Sequence, residues 1–337
     1  MMPDPGQTAQ ASTAPLLLVI IVNYRTGQLV VDCLQSLFTS STMPEGGRVV
    51  VADSASHDGS LEQIADAIET RWESRVMLVD LATNDGFSSA NNHALKHAVD
   101  RFGRPKYVLF LNPDTVVRPG SIQPLVDFLE ARPDAGMVGA RLEDPDGTAQ
   151  ACAFQFPSIL GELESEAKTG PISRLLRRWR VAEPSRDVAH RVDWISGAAM
   201  MVRIELVEEV GAFDPRFFLY YEEVDLCLRA AKAGWTCWHL PQSRIIHFVG
   251  CSTGVTKHVQ PVRRPAYWFE SRRYYFLKHH GWLYAFLADL SWICGHLVWR
   301  LRILIERRRN GGPPHLLQDF LGHWLSGYKR SARTPAS

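Results

Sequence analysis

The chain has 337 residues, room for about two domains or one large α/β unit. Apolar residues make up 46% and charged residues 22%, which excludes a disordered chain, a collagen and a disulfide miniprotein. Lys plus Arg at 37 nearly cancel Asp plus Glu at 36, so no global field draws the chain to nucleic acid. The six cysteines never form a C-x-x-C pair, which argues against a zinc ribbon or a disulfide framework and fits reduced thiols in a cytoplasm.

Residues 1–15 read as a frayed tail rich in Pro, Ala, Thr and Ser, without the basic start of a signal peptide. The apolar run Leu16 to Val22 is too short to span a bilayer and reads as a strand buried on both faces. From there to about residue 141 strands at 16–22, 48–52, 76–80, 106–111 and 136–141 alternate with amphipathic helices near 27–39, 60–70, 88–101 and 120–131. That alternation predicts βαβ crossovers and a mostly parallel sheet with helices on both faces. Asn23, Asp53, Asn84 and Asn112-Pro113-Asp114 each follow a strand, at the carboxyl edge where open α/β sheets bind ligands. Any one of them could equally cap the next helix; four together point to a cleft.

Beyond residue 150 the composition shifts, with nine of the ten tryptophans lying after residue 178. Leu160 to His190, with Pro171, Pro184 and a basic cluster from Arg174 to Arg180, reads as a mobile or inserted loop. A strand-like stretch Val192 to Val202, a helix near 222–233 and a strand-like stretch Thr236 to Leu240 lead to Ile245-Ile246-His247. The last region is basic: 11 Lys or Arg against three acids between Lys257 and Arg309 surround the apolar run Trp282 to Ile305. Asp289, His296, Arg300 and Arg302 inside the run argue against a span and for an interfacial helix or a helix packed on the core.

Three segments carry chemistry. Asp53, followed by Asp58-Gly59-Ser60, puts a carboxylate where a base N–H or a ribose hydroxyl can be bound. The absence of G-x-G-x-x-G after the first strand argues against a Rossmann dehydrogenase, so a diphosphate needs another counter-charge. Asn112-Pro113-Asp114 offers oxygen ligands for a divalent cation, although N-P-D also suits a type I turn. Phe217-Phe218-Leu219-Tyr220-Tyr221-Glu222-Glu223-Val224-Asp225-Leu226, followed by Arg229 and Gly234-Trp235, starts a helix with three acids among aromatics, and partial desolvation there favours a general base.

Together with Asn23-Tyr24, Asn84-Asp85-Gly86-Phe87 through Asn91-Asn92, Ser196-Gly197-Ala198 and Gly211-Ala212-Phe213-Asp214, these segments resemble family 2 glycosyltransferases, nearest the rhamnosyltransferase-like branch, over residues 16–255. The resemblance implies a GT-A fold, with a donor half at 16–141, an acceptor and catalytic half at 142–255, and a helical carboxy-terminal region at 256–337 outside it. It implies an inverting enzyme using a nucleotide-diphosphate sugar, dTDP-rhamnose first and UDP-sugars next, with Mg²⁺ or Mn²⁺. Donor contacts then fall to Asn23, Tyr24, Asp53, Asn84, Gly86, Phe87, Asn92, Asn112 and Asp114, and acceptor contacts to Trp194, Ser196 and Gly197. Asn112, Asp114 and His247 are the implied metal ligands. Glu223 takes the position of the usual base, an Asp in most of the family, with Glu222 as rival and Asp225 orienting the cluster. The acceptor is expected to be a cell-surface or lipid-linked glycan, reached from the cytoplasmic face of the inner membrane by peripheral contact. The rival readings are a non-catalytic glycan or sugar-nucleotide binder of the same fold, which would lack these acids, and a nucleotidyltransferase, which would show a basic Gly-rich loop after the first strand.

Overall fold

In the computed structural model, which describes residues 14–39, 42–248, 262–307 and 312–331, all seven residues of β1 (Leu17–Asn23) are buried. The expected tail lies outside the described residues except for 14 and 15, as do 249–261, 308–311 and Cys251. Leu17, Val19 and Ile21 face α1 (Gly27–Phe38), while Leu18 and Ile20 face α3 (Phe87–Phe102), so the period of two in β1 feeds two helical layers. β2 (Arg48–Ser54), α2 (Ser60–Arg71), β3 (Val76–Leu81) and β4 (Tyr107–Leu111) complete the first half, with strand order β3-β2-β1-β4 and every pair parallel. The expected elements are all present within a few residues.

The second half departs from simple alternation. After β5 (Thr115–Val117), α4 (Gln123–Ala131) and β6 (Ala135–Glu143), the chain forms β7 (Ala153–Phe154), α5 (Ile159–Ala167), α6 (Gly170–Leu175) and a 3-10 turn at Arg177–Trp179. The segment expected to be a loop is therefore partly helical. Its Pro171 sits in the first turn of α6, where a missing N–H costs nothing, and Ser158 caps α5 by accepting from the Gly161 amide. The stretch Val192 to Val202 resolves into β8 (His190–Val192), β9 (Trp194–Ile195) and β10 (Ala199–Arg203), and β10 inserts antiparallel between β4 and β6.

Beyond α7 (Ile204–Val210) and α8 (Glu222–Lys232), β11 (Thr236–His247) runs through Pro241 by means of a register shift between Leu240 and Arg244. Its end pairs with β5, setting His247 opposite Thr115. α9 (Ala266–Ile305) is kinked at Gly281, whose φ of +80° favours glycine, and α10 (Leu316–Ser331) packs back on it through a stacked Trp292–Phe320 pair at 4.0 Å. α9 lies along α5, where a Cβ on Gly295 would come within 2.9 Å of the Leu163 carbonyl oxygen. Among the described residues no helix is long and apolar enough to cross a membrane.

Candidate active site

At the ends of β1 and β2 the Asn23 amide donates to Asp53 at 2.5 Å, and both Asp53 oxygens also accept from Ser56, one from its hydroxyl at 2.6 Å and one from its amide at 3.0 Å. Both acid and amide are almost wholly buried, so this pair shapes the corner. Exposed Tyr24 and Arg25 form its outer lip, with the guanidinium 5.1 Å from the ring centroid. An open groove of about 420 Å³ lined by Arg25, Thr26, Gly27, Asp58, Gly59 and Ser60 lies between the starts of α1 and α2.

The next corner is joined to the acidic segment by backbone. Asn84 accepts from the Gly86 amide at 3.2 Å, and the Phe87 amide donates to the Phe218 carbonyl at 2.7 Å. Asn92 places both ends of its amide on the Phe213 backbone, at 2.7 and 3.1 Å. α3 thereby holds the loop that carries the aromatics, in which Tyr220 and Tyr221 adopt φ of +70° and +69°. Side chains seldom tolerate that region, at roughly 1–3 kcal/mol each, and such strain clusters at functional sites.

The Asn112-Pro113-Asp114 turn leads into β5, and the β5–β11 pairing carries Asp114 to His247, with Oδ1 and Nε2 3.6 Å apart. Gln150 sets the imidazole: its amide nitrogen donates to Asp144 and to the His247 carbonyl, leaving Oε1 to accept from Nδ1–H at 3.1 Å. Nε2 then faces the carboxylate, the arrangement in which a histidine ligand is oriented by its other nitrogen. Among the described residues no group of three or more His, Cys, Asp or Glu is placed to hold a metal ion. A carboxylate and an imidazole suffice for Mg²⁺ or Mn²⁺ that shares its other positions with water and phosphate oxygens, so the donor set fits.

Ser196-Gly197-Ala198 links this turn to the acids. The Ala198 carbonyl accepts from the Asn112 amide at 2.9 Å, and a Cβ on Gly197 would lie 3.7 Å from the Glu223 Cβ. Trp194, just upstream, stacks on Phe154 at 4.0 Å and donates from its indole to the Gln155 carbonyl. Glu222 and Glu223 each bury an Oε2 that has no hydrogen-bond partner among the described residues. Burial and the neighbouring Glu223 push Glu222 far above the usual carboxylate range; burial pushes Glu223 up to about 7, tempered by its own, the Gly197 and the Val224 backbone amides. Both acids are therefore raised, Glu222 the more strongly.

Asp225 does something else. Burial would raise it, yet His279, Arg229 and Lys278 hold it below its ordinary value. Its oxygens meet Arg229 at 2.8 Å, Lys278 at 2.5 Å and His279 at 2.7 Å, so it faces α9. Sequence reasoning missed Lys278, His279 and Gln150; Ser56, Phe218 and Arg229 fall inside the segments it singled out, but without the contacts they make here. Ser56 is three residues past Asp53, the spacing of an Asx-type turn, and could have been found. Arg229 is at the i,i+4 spacing of a helical ion pair with Asp225, whereas Lys278, His279 and Gln150 act across long separations with no local signal.

Comparison with known proteins agrees with this architecture. Residues 14–276 match the family described as glycosyltransferase like family 2. The chain is 32% identical, over 85% of its length and 89% of the relative's, to the N-acetylglucosaminyl-diphospho-decaprenol L-rhamnosyltransferase of Mycobacterium tuberculosis (strain ATCC 25618 / H37Rv). To Rhamnosyltransferase WbbL of Escherichia coli (strain K12) it is 26% identical over 48% of this chain and 61% of that one. In fold it is similar to the mannosyltransferase PcManGT from Pyrobaculum calidifontis, solved with GDP-Man and Mn²⁺, with a TM-score of 0.53 and 16% identity over 96% of this chain and 82% of that one. GalNAc-T7, solved with UDP, GalNAc and Mn²⁺, gives 0.52 and 16% over 69% of this chain and 44% of that one. With the match spanning both the strand-end corners and the acidic helix, the chain belongs to the family 2 glycosyltransferases.

Proposed function

We propose that this glycosyltransferase moves rhamnose from dTDP-rhamnose, with inversion, to a hydroxyl of a lipid-linked glycan at the cytoplasmic face of the membrane. The observation that carries the reading is Glu223: a carboxylate with a proton affinity near neutrality, set across Ser196-Gly197-Ala198 from the Asn112-Pro113-Asp114 turn. The choice of sugar and acceptor follows the mycobacterial relative, whose name specifies rhamnose and a diphospho-decaprenol carrier.

In this mechanism the nucleoside end lies along the corner of Asn23, Tyr24 and Asp53, and Asn84, Gly86 and Phe87 border the sugar. The chemistry supplied by Mg²⁺ or Mn²⁺, when held by Asn112, Asp114 and His247, is neutralisation of charge on the departing diphosphate. Trp194, Ser196 and Gly197 receive the acceptor. Glu223 removes the proton of its hydroxyl as the oxygen attacks the anomeric carbon from the face opposite the diphosphate, and Glu222, still protonated, adds no second negative charge.

A donor panel tests this: release of nucleoside diphosphate from dTDP-rhamnose, UDP-sugars and GDP-mannose, with a GlcNAc-diphosphoryl lipid as acceptor and with Mn²⁺ or EDTA. The expected result is acceptor-dependent release of dTDP that EDTA or Asp114→Ala abolishes. Preference for another donor overturns the rhamnose assignment; full activity in EDTA overturns the metal assignment.

A further inference from the structure

The family match ends at residue 276, and the next turn of α9 reaches back into the acidic segment. Lys278 Nζ donates to Asp214 at 2.8 Å and to Asp225 at 2.5 Å, so one ammonium joins two carboxylates eleven positions apart in the chain. Tyr274, one helical turn earlier on the same face, donates its hydroxyl to Asp214 at 2.8 Å. His279 adds a further bond to Asp225 at 2.7 Å, beside that from Arg229 of α8 at 2.8 Å. Lys232 donates to His279 Nδ1 at 3.2 Å, which leaves Nε2–H to face the carboxylate, so this bond does not need a charged imidazole. Asp225 is wholly enclosed and Lys278 mostly so, which makes the pairing a fixed one rather than a solvent-screened surface contact.

Asp214 and Asp225 bracket the segment containing Phe217, Phe218, the two left-handed tyrosines, Glu222 and Glu223. Left-handed backbone at two successive non-glycine residues persists only where the surroundings over-determine it. On one side the segment is held by Asn92 and by Gly86 and Phe87; on the other, its two ends are tied to a single side chain. We propose that Lys278, supported by His279 and Tyr274, is a positioning residue for proton transfer: it fixes both ends of the loop and thereby the orientation of Glu223 toward the acceptor. The inference rests on the reading of Glu223 as the base. It makes the carboxy-terminal helix part of the catalytic unit.

The test measures kcat and KM for acceptor-dependent dTDP release from dTDP-rhamnose, the Kd of dTDP with Mn²⁺ by calorimetry, and Tm, for the parent, Lys278→Met and Lys278→Arg. A misplaced base costs turnover while leaving ground-state binding alone, so Lys278→Met is expected to lower kcat by about 10²-fold with KM and the dTDP Kd within about threefold of the parent. Lys278→Arg, which keeps the charge, is expected to recover most of that loss. The proposal is overturned if Lys278→Met keeps its kcat, if kcat and dTDP affinity fall together, or if Lys278→Arg is no better than Lys278→Met. Should Lys278→Met fail to fold, Tyr274→Phe and His279→Gln decide: reduced kcat with unchanged dTDP affinity supports the role, and parental kcat in both overturns it. A parent chain that releases no nucleoside diphosphate from any donor would instead overturn the proposed function.

Discussion

A Cβ built on Gly86 would lie 2.7 Å from the Cα of Phe218, so the turn before α3 and the aromatic segment meet backbone to backbone. Gly86 also has φ of +92°. Gly86→Ala therefore adds a clash with backbone that cannot swing aside to a backbone strain of roughly 1–3 kcal/mol. Gly120 has φ of +74° with nothing within 4 Å of a built Cβ, so Gly120→Ala isolates the strain alone. The expected outcome is a lowered Tm in both variants and a loss of turnover, by about 10²-fold, in Gly86→Ala only. Equal turnover in the two would mean that the meeting of Gly86 with Phe218 does not align the site.

The acid pair sets the pH dependence. In the proposed role of base Glu223 must be ionised to accept a proton, so kcat should rise with pH to a plateau above about 7. Glu223→Gln should lower kcat by about 10²- to 10⁴-fold with little change in dTDP affinity, whereas Glu222→Gln should leave the limb near 7 in place. The sign of the stability effect follows from the same shift. Because the folded-state value lies above the ordinary 4.5, the folded chain binds more protons between about 4.5 and 7, and stability falls as pH rises through that window. Denaturation midpoints measured across that range should fall less steeply in Glu223→Gln. A Glu222→Gln variant that loses turnover while Glu223→Gln keeps it would move the base by one residue.

How much of this the sequence exposes depends on the range of the interaction. The strands from Leu17 to Leu111 are legible because alternation and helical period are local properties, and Asn23, Asp53, Asn84 and Asn112 fall at strand ends as expected. Insertion of β10 between β4 and β6 is not legible, since a strand's neighbours are chosen by contacts about 60 to 90 residues away. Asp53 shows a different limit: the sequence marks the acid and the turn spacing to Ser56, but not that Asn23, 30 residues away, shares the oxygen that the Ser56 hydroxyl meets. For Asp225 two of the three partners, Lys278 and His279, lie on a helix about 50 residues downstream, in a region that reads as separate from the catalytic half; the third, Arg229, is one turn along its own helix.

The joint between α5 and α9 is an ion triad. Arg272, 2% exposed, reaches Glu162 at 2.8 Å and Asp289 at 2.5 Å, while burial raises the proton affinity of both acids against its pull. Removing the cation strands two buried carboxyl groups, so Arg272→Met should destabilise the fold by about 3–5 kcal/mol. Replacing all three together by apolar side chains should recover most of that loss. Urea denaturation midpoints report the difference, and a cost below about 1 kcal/mol for Arg272→Met would show that the triad is hydrated and contributes little.

The outer face of α9 bears on how the proposed lipid-linked acceptor would be reached. Asp289 and His296, two of the four polar residues that argue against a span, turn inward, to Arg272 and to Glu166, and so the surface stripe up to Leu297 is apolar. Trp282, Leu283, Leu287, Leu290, Leu297, Leu301, Leu304 and Ile305 are all exposed, and no exposed charge falls between Trp282 and Leu297. Arg300, Arg302 and Arg307 follow at one end; Lys257, Arg308 and Arg309, counted in the basic surplus, lie outside the described residues. An apolar stripe of this kind can lie in the interface, and each basic residue near an anionic leaflet contributes about 1 kcal/mol. The chain is expected to float with anionic vesicles at low salt and to be released in part as salt screens the electrostatic share. Leu287→Glu with Leu297→Glu should reduce flotation by about tenfold at unchanged Tm, because two charges would then have to enter the interface. If the stripe instead covers a second copy of the chain, the double variant will shift sedimentation and leave flotation unaltered. Absence of binding to anionic vesicles at low salt, or binding indifferent to the double variant, rules out membrane contact through this face.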